Sequence, residues 1–317
     1  MRRPRRRARG VALLLALMVV TVLAVTVFPF LYDGRVERAV ASNLYTGLQA
    51  GRLATSGVVF AEALLKVDAE DSEGKRFDAY TETWAQFNDL PVAAGGGSIA
   101  MRITDESGKL NVNRLVGSDG KTINNQWRDI LIKLLTRLEQ DEQTARAMIE
   151  TLADWIDEND QPISFNSAEK PYYLGLTPPY EPADRPLETI GELRAIKGWE
   201  DPKLVTRVSA FLTTRRDKSR EVNANTAPRE VLIALDLDES QADAVVAARE
   251  KAPFKTTTEF QQAVPARGIT NLGWADVKSK YFSVTATATF RDSVAVVRAV
   301  LNRGQPGRIQ REFWRAE

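Results

Sequence analysis

The side chains best placed to do chemistry are acids. Asp154, Asp157, Glu158 and Asp160 put four carboxylates within seven residues, and Asn159 adds an amide oxygen among them. Asp154 and Asp157 stand at i and i+3, on one helical face, and the helical pattern ends before Pro162. Hard oxygens converging at a helix end suit calcium, which takes about six to eight oxygen ligands in flexible geometry. The D-x-[DN]-x-[DN]-G order of an EF-hand is absent. The same spacing also describes a solvated helix end, so the residues by themselves leave both readings open. Composition removes other chemistries. The 317 residues include no His and no Cys. That excludes a Ser-His-Asp triad, a His general base and a His-bearing zinc site. It equally excludes a thiol nucleophile, a CxxC motif, an iron–sulfur ligand and a disulfide. There is no P-loop or G-x-G-x-x-G, and no nucleophile–base pair stands out, so nothing in the sequence favours an enzyme.

The N-terminus offers a second kind of chemistry, proteolytic processing. Arg2, Arg3, Arg5, Arg6, Arg7 and Arg9 precede Gly10, and Val11 to Leu31 carry no charge. Those residues make roughly 32 Å of helix, about one hydrocarbon thickness. The basic flank marks the cytoplasmic side and places everything after Asp33 across the membrane. A signal anchor, a cleaved secretory signal and a prepilin-type leader cut after Gly10 all share this layout. The apolar run is longer than an ordinary signal-peptide core and no small-x-small site follows it. The formal charge of +1 also divides here: without the six leader arginines the remainder is −5. A mildly acidic body argues against a broad nucleic-acid footprint.

Elements must position these residues. From Asp33 to about Ala69 the apolar residues Val36, Val40, Leu44 and Leu48, then Val59, Ala63 and Val67, predict a helix continuous with the membrane segment. Gly47, Gly51 and Gly57 weaken its propensity but allow close packing. Ala93 to Ser98 reads as a loop, Ser98 to Thr104 as a half-buried strand, and Leu110 to Asn113 as further extended chain. Residues 126–157 are helical, 161–187 form a Pro- and Tyr-rich loop, and helical patterns return at 188–215 and 228–265. Residues 281–290 and 294–301 alternate as a strand hairpin turning at 291–293. The six tryptophans read as core or interface anchors.

Strand segments therefore flank a helical block, which predicts an α+β fold with a helical insertion. The expected segments are a leader at 1–10, a transmembrane helix at 11–32, a head at 33–122 and 279–317, and the inserted block at 123–278. Val222 to Leu235, Ala242 to Arg249 and Phe254 have the look of a helix-hairpin-helix. Its hairpin, Leu235 to Ser240, holds three acids and no Gly, so it should repel phosphate rather than bind DNA. A membrane-anchored DNA-binding protein is the alternative function. Asn223, Asn225 and Thr226 read as caps of the helix opening at Pro228.

Several segments in this order carry a resemblance: the leader and apolar helix, Ile103-Thr-Asp-Glu-Ser-Gly-Lys-Leu-Asn-Val-Asn-Arg-Leu115, Asp154-Trp-Ile-Asp-Glu-Asn-Asp160, Arg185-Pro-Leu-Glu-Thr-Ile-Gly-Glu-Leu193 and Val222-Asn-Ala-Asn-Thr-Ala-Pro228. Together they resemble the minor pseudopilin K (GspK) family of the bacterial type II secretion system, over nearly the whole chain. The resemblance implies a pilin-like fold: a long N-terminal helix packed on an antiparallel sheet, with an inserted all-helical, SAM-like domain. It implies an inner-membrane anchor with the head in the periplasm, cleavage by prepilin peptidase after Gly10 and methylation of Val11. It implies assembly with the I and J minor pseudopilins, the major pseudopilin and the inner-membrane secretion platform, at the tip of a short pseudopilus. Pilin-like chains usually carry Glu as the fifth mature residue; here that residue is Leu15. A chain lacking this acid cannot neutralise a neighbour's terminal amine in an apolar bundle, which suits it to go first. The resemblance further implies calcium in the helical domain, with Asp154, Asp157, Asn159, Asp160 and Glu169 as ligands. Lys170 departs from the two adjacent acids that relatives often carry at 169–170.

Overall fold

The computed structural model describes residues 8–70, 77–265, 272–305 and 308–317. One helix, α1 (Ala8–Glu70), dominates the first quarter of the chain. From Val11 to Tyr32 it carries no charged side chain, and the described side chains there are almost all exposed; its second half packs on a sheet. A short α2 (Thr83–Gln86) follows. Then come β1 (Val92–Ala94) and β2 (Gly97–Asp105).

Residues 93–98, expected as a loop, form a hairpin instead. Ala94 pairs with Gly97, and Gly95 and Gly96 sit at φ of +56° and +81°. Two successive positive φ values match the twist of a two-residue hairpin turn, and glycine adopts them without steric cost.

After β2 the chain leaves the sheet. A two-residue β3 (Leu110–Asn111) leads to a 3-10 turn, Val112–Leu115, where continued extended chain was expected. The long expected helix is two, α3 (Asn125–Arg137) and α4 (Glu142–Ile156), broken where Glu139 takes φ +70°. Asn124 and Asp141 cap their N-termini through side-chain oxygens. There follow α5 (Lys170–Leu174), a 3-10 turn at Ile190–Ala195, α6 (Pro202–Val208), β4 (Leu212–Thr213), β5 (Val222–Asn223), α7 (Arg229–Ala234), α8 (Glu239–Lys251), α9 (Thr257–Ala263) and β6 (Ala275–Asp276). Leu110, Val112, Leu115 and Val116 share one buried cluster with Leu131, Leu152, Trp199 and Phe260. The seam of the inserted block thus lies just after β2, upstream of the expected residue 123.

The chain returns to the sheet as β7 (Tyr281–Phe290), β8 (Ser293–Gln305) and β9 (Arg308–Ala316). The sheet is antiparallel, in order β1-β2-β7-β8-β9. Alternation along β7 puts Phe282, Val284, Ala286 and Ala288 inward against Ala54, Val58, Ala61 and Leu65 of α1. Small residues on both surfaces let the helix lie close. At Gly57 a Cβ would stand 2.9 Å from both Ala286 and Ile99. Trp84 seals one end, edge-on to Phe282 at 5.3 Å.

Candidate functional site

Helix α4 ends at the acids. Asp154 lies in its last turn and Asp157 is its C-cap; both are buried, and so is Glu169, the N-cap of α5. One oxygen of Asp154 accepts from the Ile163 N–H at 3.0 Å, and one of Asp157 from the Asn159 N–H at 3.2 Å. Asp154 Oδ2, Asp157 Oδ2 and both carboxylate oxygens of Glu169 have no hydrogen-bond partner in the protein. Burial pushes Asp154 and Asp157 up to about 6. Burial, and then the charges of Asp154 and Asp157, push Glu169 up to about 8.

The other expected ligands are placed differently. Asn159 is half-buried, and its Oδ1 accepts from Gln161 N at 2.9 Å; Asp160 is exposed. Lys170 turns outward to Glu181 at 3.0 Å. Glu158 is exposed, and its backbone N–H bonds to Gly120 O at 2.9 Å. Asp184, which the sequence did not single out, faces the cluster: its charge raises both Asp157 and Glu169. It sits at φ +48° with its N–H on Trp155 O at 3.1 Å. Orphaned, buried carboxylate oxygens at the end of α4 and the start of α5 are hard donors of the kind calcium takes.

Among the described residues the carboxylate group with one oxygen of each member within 4.8 Å is a different one, Asp68, Asp78 and Glu82. Here a cation is already built in. Arg303 of β8 binds Asp68 at 2.6 Å and also pairs with Asp78. The group ties the end of α1 to the segment before α2.

Asn223, Asn225 and Thr226 are not caps of α7, which opens at Pro228 with no side-chain cap. They form a clasp between block and head. Asp105, at the end of β2, accepts from Asn223 Nδ2 at 3.1 Å, Thr226 Oγ1 at 2.6 Å and Ser279 Oγ at 2.5 Å. Asn223 also donates to Asp78 O at 3.0 Å, while Asn225 exchanges two hydrogen bonds with the Phe254 backbone. The acids of the 235–240 hairpin are likewise engaged. Asp236 pairs with Lys133, Asp238 caps α8, and Glu239 pairs with Arg137.

Residues 1–7 of the leader lie outside the described residues. Gly10 and Val11 lie in the first turns of α1, and Val11 and Leu15 are exposed. From Val11 onward, α1 is long and apolar enough to cross a membrane, with a mean hydropathy of 2.9 in its most apolar window.

Residues 108–217 and 222–285 match two family profiles, both described as "Type II secretion system (T2SS), protein K". A protein so named from Pseudomonas aeruginosa is 30% identical over 314 residues, covering 96% of this chain and 92% of that one. The chain belongs to the type II secretion system protein K family. It is a minor pseudopilin of a protein-secretion machinery, and its apolar N-terminal helix fits a transmembrane anchor. The protein K of Klebsiella pneumoniae is 30% identical over 274 residues, 86% of this chain and 78% of that one. The fold is that of a chain in the crystal structure of the GspK-GspI-GspJ complex from the enterotoxigenic Escherichia coli type 2 secretion system. The TM-score is 0.73 at 20% identity, covering 88% of this chain and 99% of that one. The expected α+β arrangement is the observed one, long helix, antiparallel sheet and inserted helices.

Proposed function

We propose that this chain is a non-enzymatic subunit that caps the pseudopilus tip and helps start its assembly for protein export across the outer membrane. The observation that carries the reading is Leu15, fifth after Gly10, on a helix otherwise built to join an apolar bundle. Without a carboxylate there, the chain does not pair with the terminal amine of a subunit already in place. A subunit that cannot join below another is suited to be first. Bulk supports the same end position: 175 residues of helical block, 106–280, leave the sheet between β2 and β7, and such a head packs poorly along a filament shaft. In this reading the leader is cut after Gly10 by prepilin peptidase and Val11 is methylated. The anchor crosses the inner membrane once, and the head lies in the periplasm. The neighbours are the I- and J-type minor pseudopilins, with the major pseudopilin and the inner-membrane platform engaged during assembly.

Calcium has a structural part in this proposal. Asp154, Asp157 and Glu169 would hold it, with Asn159, Asp160 and Asp184 nearby. The ion supplies positive charge to buried carboxylates and pins the 161–187 loop to α4.

Mass spectrometry of the membrane-derived protein tests the class. The expected N-terminus is methylated Val11, formed only when prepilin peptidase is present; an intact Met1 or a cut beyond Leu31 overturns it. The tip reading is tested by Leu15→Glu, which is expected to impair filament initiation. Normal initiation by that variant removes the argument from Leu15.

A further inference from the structure

The two edges of the sheet are finished differently. At one edge β1 is three residues long, and beyond it the outer side of β2 is closed by Asn88 and Asp89. The Ile103 N–H donates to Asn88 Oδ1 at 2.7 Å, Asn88 Nδ2 donates to Ile103 O at 2.9 Å, and the Asp89 N–H donates to Met101 O at 2.7 Å. Asn88 thus stands where a further strand would pair. An open strand edge is a template for another chain, and folds commonly blunt it.

The other edge is left open. β9 runs for nine residues and, among the described residues, pairs only with β8. Val296 and Glu317 exchange both backbone hydrogen bonds, at 3.0 and 2.8 Å. In an antiparallel ladder such pairs alternate with pairs whose N–H and C=O point the other way. Ala316 and Trp314, opposite Val297 and Ala299, therefore turn their backbone groups away from β8. Both residues are exposed. Toward the start of the strand, a cleft of about 680 Å³ is lined by consecutive residues from Arg308 to Glu312, with Glu62 and Arg216. Among the described residues no member of β8 lines it, so it opens on the free side of β9.

Charge selects what this edge accepts. Arg216, Arg308, Arg311 and Arg315 stand along it, against Glu62, Glu312 and Glu317. Arg311 pairs with Glu62, Arg216 with Glu312 at 3.2 Å and Arg315 with Glu317 at 3.0 Å. Arg308 is exposed and has no ion-pair partner among the described residues. The edge is thus basic on a body whose charge without the leader is −5. A second copy of β9 laid alongside would set one arginine-rich strand against another, the repulsion that keeps charged edges from pairing with themselves. An acidic strand meets the opposite field.

We propose that the free edge of β9 takes up an extended, acidic segment of a partner protein as a further strand of the sheet. The main chain of that segment bonds to the outward N–H and C=O groups, and its carboxylates meet Arg308 and the arginines of the cleft. Such pairing involves the head alone and is independent of a place at the filament tip.

The probe is a fluorescein-labelled peptide of about ten residues, long enough to span β9, in which Glu alternates with Val. Its anisotropy is read against the detergent-solubilised full chain. The Glu peptide is expected to bind about tenfold tighter than a Lys peptide of the same pattern. N-methylation along its centre removes backbone donors and leaves every charge, and is expected to weaken binding about tenfold. Arg308→Glu is expected to weaken it several-fold. Ala316→Pro removes one outward donor without touching the ladder to β8, and is expected to do the same. Both variants should keep the melting temperature of the unaltered chain; if Ala316→Pro melts lower, Arg308→Glu decides alone. A benzophenone on the peptide is expected to mark residues 308–316. No binding by the Glu peptide, equal binding by the Lys peptide, no loss on N-methylation, unaltered binding by the variants, or adducts elsewhere on the chain overturn the edge site. Dimers of the chain cross-linked through β9 overturn it as well, since the edge then belongs to a second copy.

Discussion

At Glu169 two carboxylate oxygens are buried without a hydrogen-bond partner, facing the charges of Asp154 and Asp157. Ionised carboxylates in that setting are costly unless a cation or a proton neutralises them. Calcium at about 100 times its Kd would add about 2.7 kcal/mol to the folded state. For a unit of this size that is a rise of about 5–10 °C in melting temperature. The detergent-solubilised full chain should therefore melt lower in chelator than in calcium. Glu169→Gln keeps the shape and removes one charge, so it should melt higher than wild type in chelator and gain less from calcium. No shift in either protein, together with no calcium by elemental analysis, would sink the site. The sequence displays only part of it. Asp154 and Asp157 are legible because a helical i, i+3 pair has a fixed geometry. Glu169 entered through family resemblance, and Asp184 was missed, because a loop with no period of its own brings each of them in.

Elements meet at the clasp around Asp105, where the inserted block could otherwise swing. Asn223 donates to Asp78 O, Asp105 Oδ2 and Ser279 Oγ, and accepts from Asn225 N at 2.9 Å. Asn223→Ala strands several buried polar atoms at about 1–3 kcal/mol each. The variant is expected to lose about 2–4 kcal/mol of stability in chemical denaturation, with the head and block transitions separating. A loss within about 0.5 kcal/mol, the range of ordinary surface changes, would show that the clasp couples nothing. Asn-rich spacing suggested capping because Asn caps helices locally; the partners here lie 29 to 145 residues away in sequence. The sheet was half legible for a related reason. The alternation of β7 and β8 is visible along the chain, but β9 reads as a charged segment. Arg311 and Arg315 leave its polar face exposed, and its pairing with β8 is interrupted by two register shifts.

For the whole molecule, the question is how much of α1 belongs to the head. Thr46 is the first residue of α1 to be buried, and Ala50 and Ala54 are the first apolar ones. Everything earlier on the helix is exposed or half-exposed among the described residues. A fragment beginning at Ser42 keeps every buried residue of α1 and should fold with the melting temperature of the full chain. It should also be soluble, since the apolar span is gone. A fragment beginning at Gly57 removes Ala50 and Ala54 and uncovers part of the inner face of the sheet. Each buried alanine contributes little alone, but together they keep water from a sheet face whose apolar area is worth about 25 cal/mol per Å². That fragment should bind a hydrophobic dye and aggregate. If instead it melts like the longer one, the upper half of α1 packs on the sheet without stabilising it, and the head begins where the sheet does.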